Sequence, residues 1–204
     1  MGIIKWIRRA RNADDHDCAQ IVYELFSSFC TLLSSKRLMS SNQKYLRQAI
    51  VVFPALLFIV SLTQKAFSYQ YHQVEVTDSL LLLLMGATAW IGGGLFESFV
   101  WLANPIAFIA FIRFLRESST EIKIEPVLQV AVPKGKANSW RLSLLAAAIA
   151  WSFSLWKEVL AAESGSMGKI LSLEPGYWLW VSSFTLLTIG TNYYHFLFRT
   201  RVTA

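Results

Sequence analysis

GGGLFESFVWLANP, residues 92–105, lies inside an apolar run from Ser79 to Ile112 in which Glu97 is the single carboxylate, and the reading of that run decides the fold. A helix crossing lipid needs about 20 predominantly apolar residues, because about 30 Å of hydrocarbon is covered at about 1.5 Å per residue. Drawn as one straight helix, the roughly 34 residues of the run would extend about 51 Å, too long for one crossing and barely enough for two. Three further segments have the length and apolarity of a span: 49–67, 142–162 and 177–198.

Charge placement arbitrates the count. The segment ahead of the first span carries Lys5, Arg8, Arg9, Arg11, Lys36, Arg37, Lys44 and Arg47, whereas the next loop, 64–78, carries Lys65 with Glu75 and Asp78. Basic residues stay on the cytoplasmic side, so the N-terminus is expected there. Arg113, Arg116, Lys123, Lys134, Lys136 and Arg141 follow the long run, and Arg199 and Arg201 follow the last span. An odd number of crossings within 79–112 is needed to keep these clusters on one side. The sequence therefore predicts an all-α, polytopic membrane protein with about four transmembrane helices, one of them crossing within 79–112. Part of the run is left to tilt, lie at the interface or re-enter. The alternative is a hairpin of two crossings broken at Gly92–Gly94 or at Asn104-Pro105, where a helix can part; it would strand residues 113–141 on the opposite side.

Composition agrees with a lipid environment. Of 204 residues, 54% are hydrophobic and 16% charged, against about 25% charged in an ordinary soluble domain. The basic excess, 19 Lys+Arg to 13 Asp+Glu, flanks apolar runs instead of forming a stripe with interleaved aromatics, so nucleic acid is not the expected partner. Cys18 and Cys30 have no second pair and no His at ligand spacing, which points to reduced packing residues and to no metal. The opening MGIIKWIRRARNADDHD lacks the uninterrupted apolar core of a secretory signal, and Trp6 stands where a myristoylation pattern needs Ser or Thr.

Residues 1–47 read as a separate amphipathic module ahead of a helical bundle over 48–204. Cys18, Ile21, Val22, Leu25, Phe29, Leu32 and Leu33 recur at steps of three and four, lining one face of a helix that is short for a span and suited to the membrane surface or to docking on the bundle. Ile3, Ile4, Trp6 and Ile7 among Lys5, Arg8 and Arg9 form an interfacial anchor of the same kind. Between Glu117 and Ser139, EIKIEPVLQVAV alternates in part, and a short extended segment or hairpin is expected there, with Pro126 confining it to an edge.

Glu97 is the first candidate for function, because a charged residue inside a membrane is costly and is usually turned toward the protein or water. In a helix, Gly93, Gly94, Glu97, Trp101 and Asn104 would share one face, a polar stripe on which another helix could approach closely. Three roles are open to Glu97: an interfacial position with the glycines as a turn, a hydrogen bond to a neighbouring element, or proton and cation handling. Asn192 and His195, near the end of the last span, form a second polar pair beside Tyr193 and Tyr194. Glu163, Lys169 and Glu174 are outer-loop charges that could meet a ligand. Gly190 joins Gly93 and Gly94 as a helix-packing residue. No second membrane His accompanies His195 to ligate haem, and no cofactor is implied.

Arg11–His16, RNADDH, resembles the R-x4-6-H signature of HEPN ribonucleases, in which the Arg and His act on the scissile phosphate. The resemblance implies Arg11 and His16 as the acting pair; Asp14, Asp15 and Asp17 would repel an RNA backbone beside them. WLANP and EPGYWLW resemble phrases of bacterial membrane proteins, with no named family attached. Walker A, HExxH, GxSxG and CxxC motifs are absent, as is a GxGxxG following a strand. The expected function is thus non-catalytic: a scaffold or accessory subunit of a larger complex in the bacterial inner membrane, both termini cytoplasmic, its partners being lipid and other subunits or its own copies. The alternatives are an oligomeric pore or proton-conducting protein using Glu97 and, more remotely, a membrane-tethered ribonuclease.

Overall fold

Residues 65–70, counted above into the end of the first span and its loop, are β-strand. The structure, a computed structural model, describes Ser27 and residues 43–120, 139–161 and 166–199. Helix α1 (Gln43–Ser61) leads into a hairpin of β1 (Lys65–Gln70) and β2 (Val74–Asp78). Helix α2 (Ser79–Met85), a 3-10 turn (Ala89–Gly92), α3 (Leu95–Trp101) and α4 (Ala103–Thr120) follow. Then come α5 (Ser139–Ser152), a 3-10 turn (Phe153–Leu155), a second hairpin of β3 (Glu158–Leu160) and β4 (Met167–Leu173), and α6 (Pro175–Arg199).

Local chemistry accounts for the strands. α1 ends where Ser61 Oγ and Thr63 Oγ1 donate to the carbonyls of Phe58 (2.7 Å) and Val60 (2.8 Å), turning side chains back on its last turn. Aromatic and β-branched residues then predominate: Phe67, Tyr69, Val74, Val76 and Thr77, which suit a pleated surface. The hairpins join into one four-stranded antiparallel sheet in the order β2-β1-β4-β3. Ser68 stands opposite both Val76 and Ser172, with bulges in β1 on either side. Ser68 Oγ and Ser172 Oγ are hydrogen-bonded across the central pair at 2.7 Å.

The helices pack as a row, α1 on α6, α6 on α5 and α5 on α4. Gly190 is what lets α6 approach α1: a Cβ there would lie 2.8 Å from Ile50 Cγ2. One core cluster joins the sheet to the helices through Phe67, Val100, Phe153, Val159, Tyr177 and Phe184; a second runs between α1, α4 and α6 through Ile50, Leu57, Phe114, Leu186 and Tyr194. Ser143 Oγ and Thr191 Oγ1 share a buried hydrogen bond of 3.0 Å between α5 and α6.

The all-α, four-span, multi-pass expectation is corrected on two counts. A four-stranded sheet is present, and among the described residues Leu95–Arg116 is the one helical stretch both long and apolar enough to cross a membrane. The expected span over 49–67 stops being helical at Ser61, and that over 142–162 gives way to β3. α6 has the length, but Ser182, Ser183, Thr185, Thr188, Thr191 and Asn192 dilute its apolarity. Apolar composition was shared by strands and helices, and summing hydropathy could not separate them. The amphipathic module lies outside the described residues apart from Ser27 and residues 43–47, which open α1; the expected extended segment at 121–132 lies outside them altogether.

Candidate functional site

Glu97 sits in the first turn of α3, where the partial positive charge of a helix N-terminus favours a carboxylate. Gly93, at φ +91°, closes the preceding 3-10 turn in a conformation open to glycine, and Gly94 N–H donates to Ala89 O at 2.9 Å, so the chain reverses before the helix starts. Gly93 is exposed and Gly94 buried, and both precede α3 instead of lying along it. Glu97 Oε1 accepts a 2.9 Å hydrogen bond from the backbone N–H of Leu160. β3 is an outer strand of the sheet, and Leu160 N–H points away from β4, so the carboxylate satisfies a donor that the ladder leaves open.

One helical step on, Asn104 is used on both sides of its amide. Its Oδ1 accepts from Trp180 Nε1 at 2.9 Å and its Nδ2 donates to Trp101 O at 3.0 Å. Trp101 Nε1 in turn donates to Leu83 O at 2.8 Å, satisfying a carbonyl at the end of the short α2. Trp101 reaches that carbonyl because Gly86 lacks a Cβ, which would collide with the indole.

These residues border a half-open cavity of about 860 Å³ lined by β1, β3, α2, α3, α4 and the start of α6. Its wall is mainly apolar: Ala66, Phe67, Leu82, Val100 and Val159 contribute, with a run of rings in which Phe67–Phe153, Phe153–Tyr177 and Tyr177–Trp180 stand 5.4, 5.5 and 6.0 Å apart. Ser79, the first residue of α2, also lines it; its Oγ is buried and finds no hydrogen-bond partner among the described residues. Ionisable groups on the wall are Glu97, Tyr69 and Tyr177, with no His, Cys, Lys or Arg among the described residues that line it. Burial pushes the Tyr177 hydroxyl up to about 12 while it donates to Ala150 O at 3.1 Å. A 2.6 Å hydrogen bond to Glu75 Oε2, followed by burial and the Glu75 charge, pushes Tyr69 up to about 12. Such a wall offers apolar surface and a few hydrogen-bonding groups, not a nucleophile paired with a base.

The other candidates are elsewhere. Asn192 Nδ2 donates to Thr188 O at 2.8 Å, and His195 is half-buried, its Nε2 without a partner among the described residues. Both lie at least twelve residues beyond Trp180, about 18 Å along α6, so they are not brought to the cavity. Gly190 lies between α1 and α6. Lys169 is exposed on β4, Glu174 Oε1 accepts from Ser172 Oγ at 2.6 Å, and Glu163 lies outside the described residues, as do Arg11 and His16 of the ribonuclease-like motif. Among the described residues no three His, Cys, Asp or Glu side chains gather to hold a metal ion. The cavity itself was not foreseen: Ser79 and Leu160 carry no signal in the sequence. Compared with known proteins, the chain matches no family model, no curated sequence and no solved structure.

Proposed function

We propose that the chain is a non-catalytic integral membrane protein, held in a bacterial inner membrane by Leu95–Arg116 and acting as an accessory subunit of a larger membrane complex. The observation that carries this reading is the exposure of that stretch. It is apolar enough to cross a membrane, yet only 22% of it is buried in the protein, and Leu95, Phe96, Phe99, Phe108 and Ile109 project outward. A core helix of equal apolarity would be mostly buried, and contiguous exposed apolar area on this scale marks contact with lipid or another protein. Arg113 and Arg116 at its C-terminal end put that end on the cytoplasmic side by the positive-inside rule. The outer ends of α1 and α6 lie beside it: Arg47 Nη2 donates to Leu115 O at 3.1 Å, and Tyr194 packs on Phe114 at 5.2 Å.

Outward apolar side chains on the neighbouring helices, such as Ile59 and Leu144, would meet companion subunits. The test is the mass of the particle that mild detergent extracts from native membranes. A particle larger than one chain with its detergent, in which site-specific cross-links at Ile59 or Leu144 capture one recurrent protein, is expected. A chain released from membranes without detergent, or a lone monomer with no cross-linked species, overturns the proposal.

A further inference from the structure

We infer that the cavity is a binding site for a single-chain amphiphile whose polar end donates hydrogen bonds, a fatty-acid ester of a polyol such as a monoacylglycerol, and that it discriminates against fatty-acid anions. The inference rests on the cavity alone and is independent of how the chain meets a membrane. The volume, about 860 Å³, falls in the range of about 300–1,000 Å³ that small-molecule pockets occupy. A wall of Phe67, Leu82, Val100 and Trp180 suits an aliphatic chain.

The polar groups set the chemistry of the head. Glu97 has one oxygen committed to Leu160 N–H, leaving Oε2 beside the Gly94 backbone, where a Cβ would lie 3.0 Å away. A carboxylate accepts and does not donate. A fatty-acid carboxylate would find no basic side chain on the described wall and would face Glu97, a like charge. A hydroxyl of a glycerol head can donate to the Glu97 oxygen that Leu160 leaves uncommitted.

The test titrates 1-monooleoylglycerol and oleate at pH 7.5 onto the full-length protein in a lipid-free detergent, reading occupancy by native mass spectrometry. The expected result is one monooleoylglycerol per chain, bound at least tenfold more tightly than oleate. Glu97→Gln keeps an acceptor for Leu160 N–H and removes the charge, so it should raise oleate affinity and narrow the preference to less than threefold. Val100→Trp projects an indole into the cavity and should weaken both ligands at least tenfold. The inference is overturned if neither lipid binds, if wild type binds both equally, or if Glu97→Gln leaves the preference intact. It is also overturned if a folded Val100→Trp variant binds as wild type does, which would place the lipid on the outer apolar surface. A single oleate per chain in Glu97→Gln, with monooleoylglycerol affinity retained, separates a gain at the site from oleate adhering to misfolded chain.

Discussion

Glu97 and Leu160 meet as side chain and backbone, 63 residues apart in sequence, and the consequence is measurable. Glu97→Leu keeps an apolar shape but leaves Leu160 N–H without its acceptor, which should cost about 1–3 kcal/mol, toward the low end because Glu97 is half-buried. Glu97→Gln retains a carbonyl oxygen and should cost less than half as much. Denaturant titration of both variants in detergent decides it; equal losses would mean that the charge, not the hydrogen bond, is what matters. Tyr177 supplies a pH-dependent counterpart. Its hydroxyl is pushed from the ordinary 10.0 up to about 12 by burial, so the folded state holds a proton that the unfolded state releases. Its contribution is therefore fully present below pH 10 and is lost as pH rises through 12. Tyr177→Phe should start about 0.5–1.5 kcal/mol less stable at pH 8, having lost its hydrogen bond to Ala150 O, yet lose less between pH 10 and 12. Parallel melting curves across that window would contradict the assignment.

At the scale of elements, the contact of α1 with α6 depends on Gly190 in a way that reverses sign with its neighbour. A Cβ at 190 would lie 2.8 Å from Ile50 Cγ2 and 3.0 Å from Cγ1, and Ile50, β-branched and fully buried, has little rotamer freedom in a helix. Gly190→Ala gains about 1 kcal/mol of helix propensity against about 1–3 kcal/mol of overpacking, so a net loss is expected. In an Ile50→Ala background the two shortest contacts are gone, leaving the Cβ of residue 50 at 3.3 Å, and the same change should stabilise. A double-mutant cycle measures this, and additive effects would show that the helices do not approach as described. The packing role of Gly190 could be suspected from sequence because small residues recur on that face; its partner Ile50 could not. Strands were harder. Val74–Thr77 alternates with period two, and Lys169–Leu173 does so in part, but both are short and sit beside long apolar runs, so the hydropathy of their neighbours submerged them. Glu97 stood out because a lone charge in an apolar run is anomalous whatever surrounds it. Leu160 did not, since a backbone N–H on an outer strand has no signature in the side-chain sequence.

For the whole molecule the decisive issue is which surface meets an apolar phase. Leu95–Arg116 carries its large apolar side chains outward, Phe108 among them at 63% exposure. If water covered this surface, a lysine at Phe108 would be neutral or favourable, since exposed apolar area would be exchanged for a solvated charge. If lipid covers it, a lysine near the middle of the stretch should cost about 2.5–3.5 kcal/mol on insertion scales. Phe108→Lys should therefore reduce the fraction of chain that resists extraction by alkaline carbonate, while His72→Lys in the exposed turn between β1 and β2 should leave it unchanged. A second measurement separates insertion from simple adhesion. With Cys18 and Cys30 replaced by Ser, a cysteine at Phe108 should resist a membrane-impermeant maleimide in intact vesicles of either orientation. One at His72 should react from the side opposite Arg113, because the sheet lies at the Glu97 end of the stretch. Reaction at 108 as fast as at 72 would remove the helix from the bilayer and with it the proposed anchoring. The amphiphile site would be unaffected, since its wall is built from the inward residues Val100, Trp101 and Asn104 of the same helical stretch.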